Sequence, residues 1–219
     1  MNYSLFTGPR RIAIEEGIKN TLSEHCDFLT DATASSTRAA GDGIEHIISK
    51  HFQSILGDWC VDYSHSFARR AMADLAFRTK EGNYCLVDVK THRTSASFSM
   101  PQLTSVERLT RLYEGDENIF CLMMVKYEVC DLRLVVGNVL FVPIEFLDWS
   151  CLTIGALGWG QIQISNSNNI ILVKNPSRKE WMVRLCDQVL AFYPKEIGKI
   201  QNRMTHFEEI RRYWLAKPG

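Results

Sequence analysis

The chain has 219 residues, enough to bury the core of a single domain spanning 1–219. Hydrophobic residues make up 46% of it and charged residues 23%, a balance typical of folded globular proteins that excludes a disordered chain. No apolar run approaches the roughly 18 residues that a membrane-spanning helix needs. The first residues also lack the apolar stretch of a secretory signal, so we expect a cytoplasmic protein with no membrane partner.

Charge is unevenly distributed along the chain, although the formal net charge is zero. Residues 174–219 carry ten Lys or Arg against five Asp or Glu, which leaves this segment at +5 and the rest of the chain at −5. A basic C-terminal segment either faces phosphates or forms a solvated helix surface. The seven cysteines include no C-x-x-C pair, so we expect small buried hydrophobes rather than disulfides or a structural zinc site.

Apolar residues recur at helical spacing in two segments near the N-terminus. The first predicts an amphipathic helix over 10–26, and small polar residues at 31–43 then predict a loop. A second helix follows and ends at Gly57. The inner faces of the two helices are predicted to carry Ile12, Ile14, Ile18 and Leu22, and then Ile44, Ile47, Ile48, His51, Phe52 and Ile55.

Strand patterns dominate the middle of the chain. They are predicted at 73–79, 84–90, 118–129, 132–142, 160–165 and 169–174, with a helix within 102–113. Two helices close the chain; the first begins with the capping box Ser177-x-x-Glu180, and the second has Pro194 in its first turn. This order predicts a mixed central β-sheet flanked by helices, an α/β or α+β fold.

Two acids and a lysine are predicted to meet on the hairpin formed by 73–79 and 84–90. A three-residue loop at 81–83 places Asp74 opposite Lys90 and diagonal to Asp88, all on one face of the hairpin. A two-residue loop would turn Asp74 to the other face. The alternative is an ion pair between Asp88 and Lys90 at a strand end, with Asp74 an unrelated turn acid.

Convergent carboxylates repel one another unless a cation lies between them. Oxygen ligands with no imidazole or thiolate nearby suit Mg²⁺, which also accepts phosphate oxygens. A metal of this kind polarises a phosphoryl oxygen and lowers the pKa of a bound water. A lysine beside it can hold or help deprotonate that water. The hairpin is therefore a candidate site for phosphodiester hydrolysis.

The pattern A-D, 13 residues, then D-V-K resembles the active-site motif of the PD-(D/E)XK nuclease superfamily, with Ala73 where that motif has proline. Within it, the chain is most similar to blunt-cutting type II restriction endonucleases of the HincII and EcoRV type. The segments that carry this resemblance, in the same order, are 38–48, 88–105, 159–165 and 177–185.

The resemblance implies a restriction-endonuclease-like fold and sequence-specific, Mg²⁺-dependent cleavage of double-stranded DNA, leaving 5′-phosphate, 3′-hydroxyl and blunt ends. Asp74, Asp88 and the backbone carbonyl of Val89 would bind Mg²⁺, and Lys90 would position and activate water. Glu45 would support the site from the helix behind it, or else be a solvent-facing carboxylate. Mn²⁺ would substitute for Mg²⁺, and Ca²⁺ would support binding without cleavage.

DNA recognition is predicted in two segments, 94–102 and 155–163. Glutamine pairs with adenine through two hydrogen bonds, hydroxyls donate or accept, and large apolar side chains can wedge at a base step. The base-reading candidates are Thr94, Ser97, Phe98, Ser99, Met100, Gln102, Gln161 and Gln163. Candidates for phosphate contacts are Arg69, Arg70, Arg93, Lys174, Arg178 and Lys179.

A palindromic DNA site is most simply cut by a two-fold homodimer, because one catalytic centre cuts one strand. The N-terminal helix, within 1–30, is either the dimer contact or part of the core. A prokaryotic restriction-modification system would supply a cognate methyltransferase as a genetic rather than a physical partner. Two other functions stay open: a repair or junction-resolving nuclease on the same fold, and a DNA-binding protein without catalysis.

Overall fold

Helices and strands alternate along the computed structural model, which describes residues 3–65 and 72–218. The helices in these ranges are α1 (Gly8–Glu24), α2 (Thr37–Leu56), α3 (Val106–Leu112) and α4 (Arg178–Leu215), with short 3-10 turns at Ser4–Phe6, Gly57–Trp59, Ile144–Phe146 and Trp149–Cys151. The strands are β1 (Cys60–Ser64), β2 (Leu75–Thr79), β3 (Tyr84–Arg93), β4 (Gln102–Ser105), β5 (Asn118–Cys130), β6 (Arg133–Pro143), β7 (Leu152–Gly155) and β8 (Gln161–Ile164). None of the described helices is both long and apolar enough to cross a membrane.

The described strands form two sheets. The larger one has the order β1-β2-β3-β5-β6, in which β3 and β5 run parallel and the other neighbours are antiparallel. The smaller one is antiparallel, with the order β4-β8-β7. A mixed sheet with helices packed against it confirms the predicted α/β or α+β class.

Helices α1 and α2 pack against each other and against the larger sheet. Ile14, Ile18 and Leu22 of α1 are buried, as predicted, but Ile12 is 50% exposed because it lies on the outer side of that helix. In α2, Phe52 makes an edge-on contact with Phe77 of β2, with ring centroids 5.8 Å apart. These side chains form the core beneath the hairpin that carries the candidate site.

The predicted loop at 31–43 is wrong in its second half, because α2 begins at Thr37. Ser36 caps the helix, and its hydroxyl accepts a hydrogen bond from the N–H of Ala39 at 3.2 Å. Two glycines within the predicted loop, Gly41 and Gly43, instead permit close packing of the helix. A Cβ atom at Gly43 would lie 2.3 Å from the Phe28 ring, and one at Gly41 would lie 2.9 Å from the Thr91 hydroxyl.

Three other predicted elements also differ from the structure. Residues 169–174 form only one bridge, between Leu147 and Leu172, rather than a strand. The helix expected within 102–113 is shorter, because its first part is β4. At the C-terminus one continuous helix replaces two, with Pro194 in its interior. Leu190, whose carbonyl loses its hydrogen-bond partner at Pro194, is 71% exposed, so water can hydrate that carbonyl.

The cysteines are all free, as predicted, but they are not all buried. Cys85, Cys121 and Cys151 lie in the core. The expectation of burial is wrong for Cys130, at the end of β5, and for Cys186, on the outer side of α4, where the fold leaves both side chains exposed.

Candidate active site

The β2–β3 hairpin brings Asp74 beside Asp88. Its ladder pairs Leu75 with Val87, so the same register continued by one residue sets Asp74 opposite Asp88. The loop has three residues, as predicted, but they are Lys80 to Gly82 rather than 81–83, because Thr79 already pairs with Asn83. Gly82 has a φ of 88°, which favours glycine over other residues. The predicted pairing of Asp74 with Lys90 is therefore wrong, while the shared face is retained.

The carboxylate of Asp74 is fixed against the neighbouring strand. Its Oδ2 atom accepts a hydrogen bond from the backbone N–H of Val89 at 2.7 Å, and the N–H of Asp74 donates to the carbonyl of Val87 at 2.9 Å. Asp74 therefore lies at the open end of the hairpin, immediately next to the segment Asp88-Val89-Lys90.

Asp88 is only 5% exposed, and its carboxylate is only half satisfied. Oδ1 accepts a hydrogen bond from the Lys90 ammonium at 2.7 Å, whereas Oδ2 is buried and has no hydrogen-bond partner among the described residues. Burial, opposed by the Lys90 ammonium and reinforced by the charges of Asp74 and Glu45, raises the pKa of Asp88 to about 7. A cation beside Oδ2 would relieve both the lost solvation and the repulsion.

Glu45 belongs to the same electrostatic cluster. Burial raises the pKa of Glu45, followed by the charges of Asp74 and Asp42, while Lys90 lowers it. Glu45 and Asp42 line a small cavity of about 220 Å³ on the α2 side of β3, together with Val89 and Lys90. Asp42 was not predicted; its spacing of three residues from Glu45 places both on one side of the helix and could have indicated it.

A larger cleft of about 500 Å³ joins the hairpin acids to the second sheet. Asp74, Asp88 and Lys90 lie on one side of it. The opposite side is formed by β4, by the start of α3, by the loop before β8 and by the first residue of β8. The residues contributed by these elements are Gln102, Leu103, Thr104, Ser105, Glu107, Arg108, Leu157, Gly158, Trp159 and Gln161. The candidate catalytic residues therefore face part of both predicted recognition segments.

The two predicted recognition segments are neighbours in one sheet. Strands β4 and β8 pair Gln102 with Gln163 and Ser105 with Gln161. Gln102 and Gln161 line the cleft, whereas Gln163 does not, and its side chain lies over Gly155. Sequence reasoning missed Thr104, whose hydroxyl is buried at the cleft and unpaired among the described residues. Recognising β4 as a strand would have indicated it.

The loop before β4 is exposed and attached to β3. Ser97, Phe98, Ser99 and Met100 are all exposed. The N–H of Ser99 donates to the Ser167 hydroxyl at 2.9 Å, and that hydroxyl contacts Nδ1 of the buried His92 at 3.2 Å. His92 was predicted only as part of the sequence after the site; the structure makes it the anchor of this loop.

Several predicted DNA contacts are engaged within the chain instead. Arg93 donates to the carbonyl of Ala34 at 3.0 Å, and the hydroxyl of Thr94 donates to Glu128. Arg178 forms an ion pair of 2.8 Å with the buried Glu145 and stacks over the Tyr113 ring at 3.9 Å. Because of these contacts, Arg178 holds α4 against the fold and does not line the cleft.

The remaining basic candidates are not gathered at the cleft either. Lys174 is exposed away from the residues that line it, and Lys179 lines a separate cavity beside Trp149 and Trp181. Arg69 and Arg70 lie outside the described residues. Arg108, which was not predicted, is the arginine that lines the cleft among the residues the structure describes.

The chemistry of the donors fits Mg²⁺. In the described part of the chain, no three His, Cys, Asp or Glu side chains form a cluster that could hold a metal. Mg²⁺ does not require one, since it commonly binds through one or two carboxylates and completes its shell with waters and a substrate phosphate. The unpaired Oδ2 of Asp88 and the adjacent Asp74 supply two such carboxylates. The carbonyl of Val89 as a third ligand stays a prediction.

Comparison of the chain with protein-family models and with curated proteins finds no match.

Proposed function

We propose that this protein is a Mg²⁺-dependent, sequence-specific endonuclease of the type II restriction class that hydrolyses phosphodiester bonds in double-stranded DNA. One observation carries the proposal: Asp88, whose buried Oδ2 has no hydrogen-bond partner among the described residues, lines a cleft of about 500 Å³ together with Asp74 and Lys90. Structural acids in a core are normally satisfied, and unsatisfied ones are expected at functional sites.

The residues of the cleft suit hydrolysis by water. Asp74 and Asp88 would hold the Mg²⁺, which would supply charge stabilisation for the phosphate and a water of lowered pKa. Lys90 is oriented by Asp88 at 2.7 Å, so its remaining N–H groups can hold the attacking water and offset negative charge in the transition state. The water oxygen bonds to phosphorus as the bond to the 3′ oxygen breaks. The products are a 5′-phosphate and, once the leaving oxygen takes a proton, a 3′-hydroxyl.

Sequence readout is proposed for the opposite side of the cleft. Gln102 and Gln161 can pair with base edges, and the exposed Met100, Phe98 and Trp159 can contact base faces. Because Gln102, Trp159 and Gln161 border the same cleft as the acids, one duplex could contact both. Cleavage of both strands at one site implies a two-fold homodimer, and blunt ends follow from the sequence resemblance.

A second function is favoured by the ion pair itself. Lys90 and Asp88 lie within 2.7 Å, which is the arrangement expected if they only join a strand end. The chain would then be a DNA-binding protein without catalysis. In that case divalent ions would have no site in the cleft.

A plasmid digest separates these functions. We expect the purified protein with Mg²⁺ to produce discrete bands, and Asp88→Asn to produce none. Glu107→Gln serves as the matched control, since Glu107 is an acid of the same cleft that pairs with Arg111 instead. The Glu107→Gln variant should still cut the plasmid into the same bands.

Other digest results would count against the proposal. Full cleavage by Asp88→Asn would show that the centre is elsewhere. A smear would favour a nonspecific or repair nuclease. If no DNA is cut and Ca²⁺ neither raises the melting temperature nor tightens DNA binding, the ion-pair function is correct.

A further inference from the structure

Helix α4 contacts the body of the protein in its first half, where the Tyr193 hydroxyl donates to the carbonyl of Trp159 at 2.8 Å, and extends beyond the body in its second half. Only Trp181 and Leu185 of this 38-residue helix are buried. Every described residue from Lys199 to the end of the chain is exposed. A helix with no tertiary contacts is marginal in water, because its stability in proteins comes mainly from packing an apolar face. This half of α4 therefore lacks a packing partner among the described residues.

The exposed surface of α4, from Leu190 onward, carries an apolar stripe with the spacing of a coiled coil. We define the C-terminal stripe by its members Leu190, Ile197, Ile200, Met204, Phe207 and Trp214, which are between 55% and 71% exposed. With Tyr193 and Arg211 at the intervening positions, the steps alternate between three and four residues over three and a half heptads. A sustained period of 3.5 residues predicts a left-handed supercoil of two or more helices.

We infer that the C-terminal stripe is the seam of a parallel, two-stranded coiled coil between two copies of this chain. The available area supports a second copy. If each of the six stripe residues buries about 100 Å² on both chains, the seam removes roughly 1,200 Å² from water, the lower bound of stable interfaces. Ile210 and Leu215 flank the last turns of the stripe and widen it.

The charges beside the stripe also match a second copy. In a parallel pair, a residue at the g position faces the residue five positions later on the other helix. Arg203 would thus face Glu208 of the partner subunit, twice by symmetry. Neither side chain forms an ion pair within the described chain, so both are available. Arg211 at a core position is the kind of polar interruption that fixes register at some cost in stability.

The parallel orientation rests on the proposed function. An antiparallel pair using the same stripe would separate the two bodies by about 50 Å along the helix axis, at 1.5 Å per residue. Cutting both strands at one site requires the two centres within about one turn of DNA, roughly 34 Å. Parallel helices keep both bodies at one end. The N-terminal helix has less apolar surface available for a dimer contact, because its residues Ile14, Ile18 and Leu22 already lie in the core of the chain.

Sedimentation velocity of the full chain, without DNA or metal, tests this interface. We expect the unmodified protein to be a dimer at micromolar concentration, and Ile200→Glu with Phe207→Glu to raise the dissociation constant at least about a hundredfold. Asn202→Glu with Thr205→Glu adds the same charge on other faces of the same helix and should remain a dimer. The melting transition of the body should be the same in the Ile200→Glu, Phe207→Glu variant, since both residues are exposed on α4.

A charge exchange identifies the partner as a second copy. Arg203→Glu alone and Glu208→Arg alone should each weaken the homodimer about tenfold. A mixture of these two variants should form heterodimers in preference to either homodimer, because both cross-chain pairs are then attractive. No such preference would overturn the parallel register.

A monomeric unmodified chain, or a dimer insensitive to the stripe variants, would overturn the interface itself. The interface and the proposed function can fail separately. The Asp88→Asn protein should still dimerise although it cannot cleave, and a chain that dimerises through the C-terminal stripe but cuts no DNA would contradict only the proposed function.

Discussion

Lys90 satisfies one oxygen of the buried Asp88 carboxylate at 2.7 Å and leaves the other without a partner. The two residues are separated by one position on β3, so their side chains share a face and point toward Asp74. The ion pair therefore offsets only part of the free-energy cost of burying the Asp88 carboxylate. The part that remains determines how the protein should respond to pH, divalent ions and mutation.

Stability without metal should fall as pH rises. The folded-state pKa of Asp88 is about 7, above the value of about 3.9 in an unfolded chain. Between these values the folded state retains a proton that the unfolded state releases, so the free energy of unfolding decreases from about pH 4 to pH 7. In urea titrations with EDTA, we expect a lower midpoint at pH 8 than at pH 5. Asp88→Asn should remove much of that decrease. If the urea midpoint of this variant fell just as much between pH 5 and pH 8, burial of Asp88 would not be the cause.

Divalent ions should stabilise the folded chain. Ca²⁺ binds oxygen ligands without requiring catalysis, so it reports on the site alone. A ligand at a hundred times its dissociation constant adds about 2.7 kcal/mol to the free energy of unfolding. We expect Ca²⁺ to raise the melting temperature of the unmodified protein by several degrees and to have little effect on Asp88→Asn. Equal shifts in both proteins would place the ion elsewhere.

Lys90→Met should reduce cleavage about 10²–10⁴-fold, the usual effect of losing a group that acts on the proton or charge of the reaction. It should also destabilise the metal-free protein more at pH 8 than at pH 5, because the buried Asp88 carboxylate then carries its charge without the ammonium. Single-turnover cleavage and urea titrations measure the two effects. A variant that lost stability but kept its cleavage rate would reduce Lys90 to a structural role.

The hairpin shows how far sequence reasoning reaches. Alternation along the strands correctly grouped Asp74, Asp88 and Lys90 on one face. The loop position was wrong by one residue, because Thr79 extends β2: its hydroxyl accepts a hydrogen bond from the N–H of Asn83 at 3.1 Å, and its own N–H pairs with the carbonyl of Asn83. That choice depends on packing around a buried polar side chain, which periodicity does not report.

The second sheet was less accessible from sequence. Strand β4 has only four residues and is followed directly by α3, so its apolar residues fit the helical spacing of the next element. Its strand character comes from pairing with β8, about sixty residues later in the chain. Long-range pairing of this kind overrides local propensity. The proximity of the two recognition segments could not be predicted for the same reason.

Gln102→Ala should weaken discrimination between the cognate site and other DNA. A glutamine that pairs with adenine contributes about 1–3 kcal/mol of discrimination, whereas nonspecific affinity depends on phosphate contacts. We expect reduced cleavage of the cognate site with unchanged binding to random duplex in Ca²⁺. Gln53→Ala, an exposed glutamine on α2 away from the cleft, is the control. Equal losses on both kinds of DNA would show that Gln102 does not read bases.

The three-residue turn from Lys80 to Gly82 acts as a spacer whose length is as essential as the acids themselves. Strand pairing fixes which side chains share a face, and a shift of one residue in the pairing sends Asp74 to the opposite face from Asp88. Deletion of Glu81, an exposed residue outside the cleft, could therefore abolish the site while every residue that forms it remains in the chain. Variation at Lys80 and Glu81 should be tolerated in composition and not in length, whereas Gly82, with its φ of 88°, favours glycine.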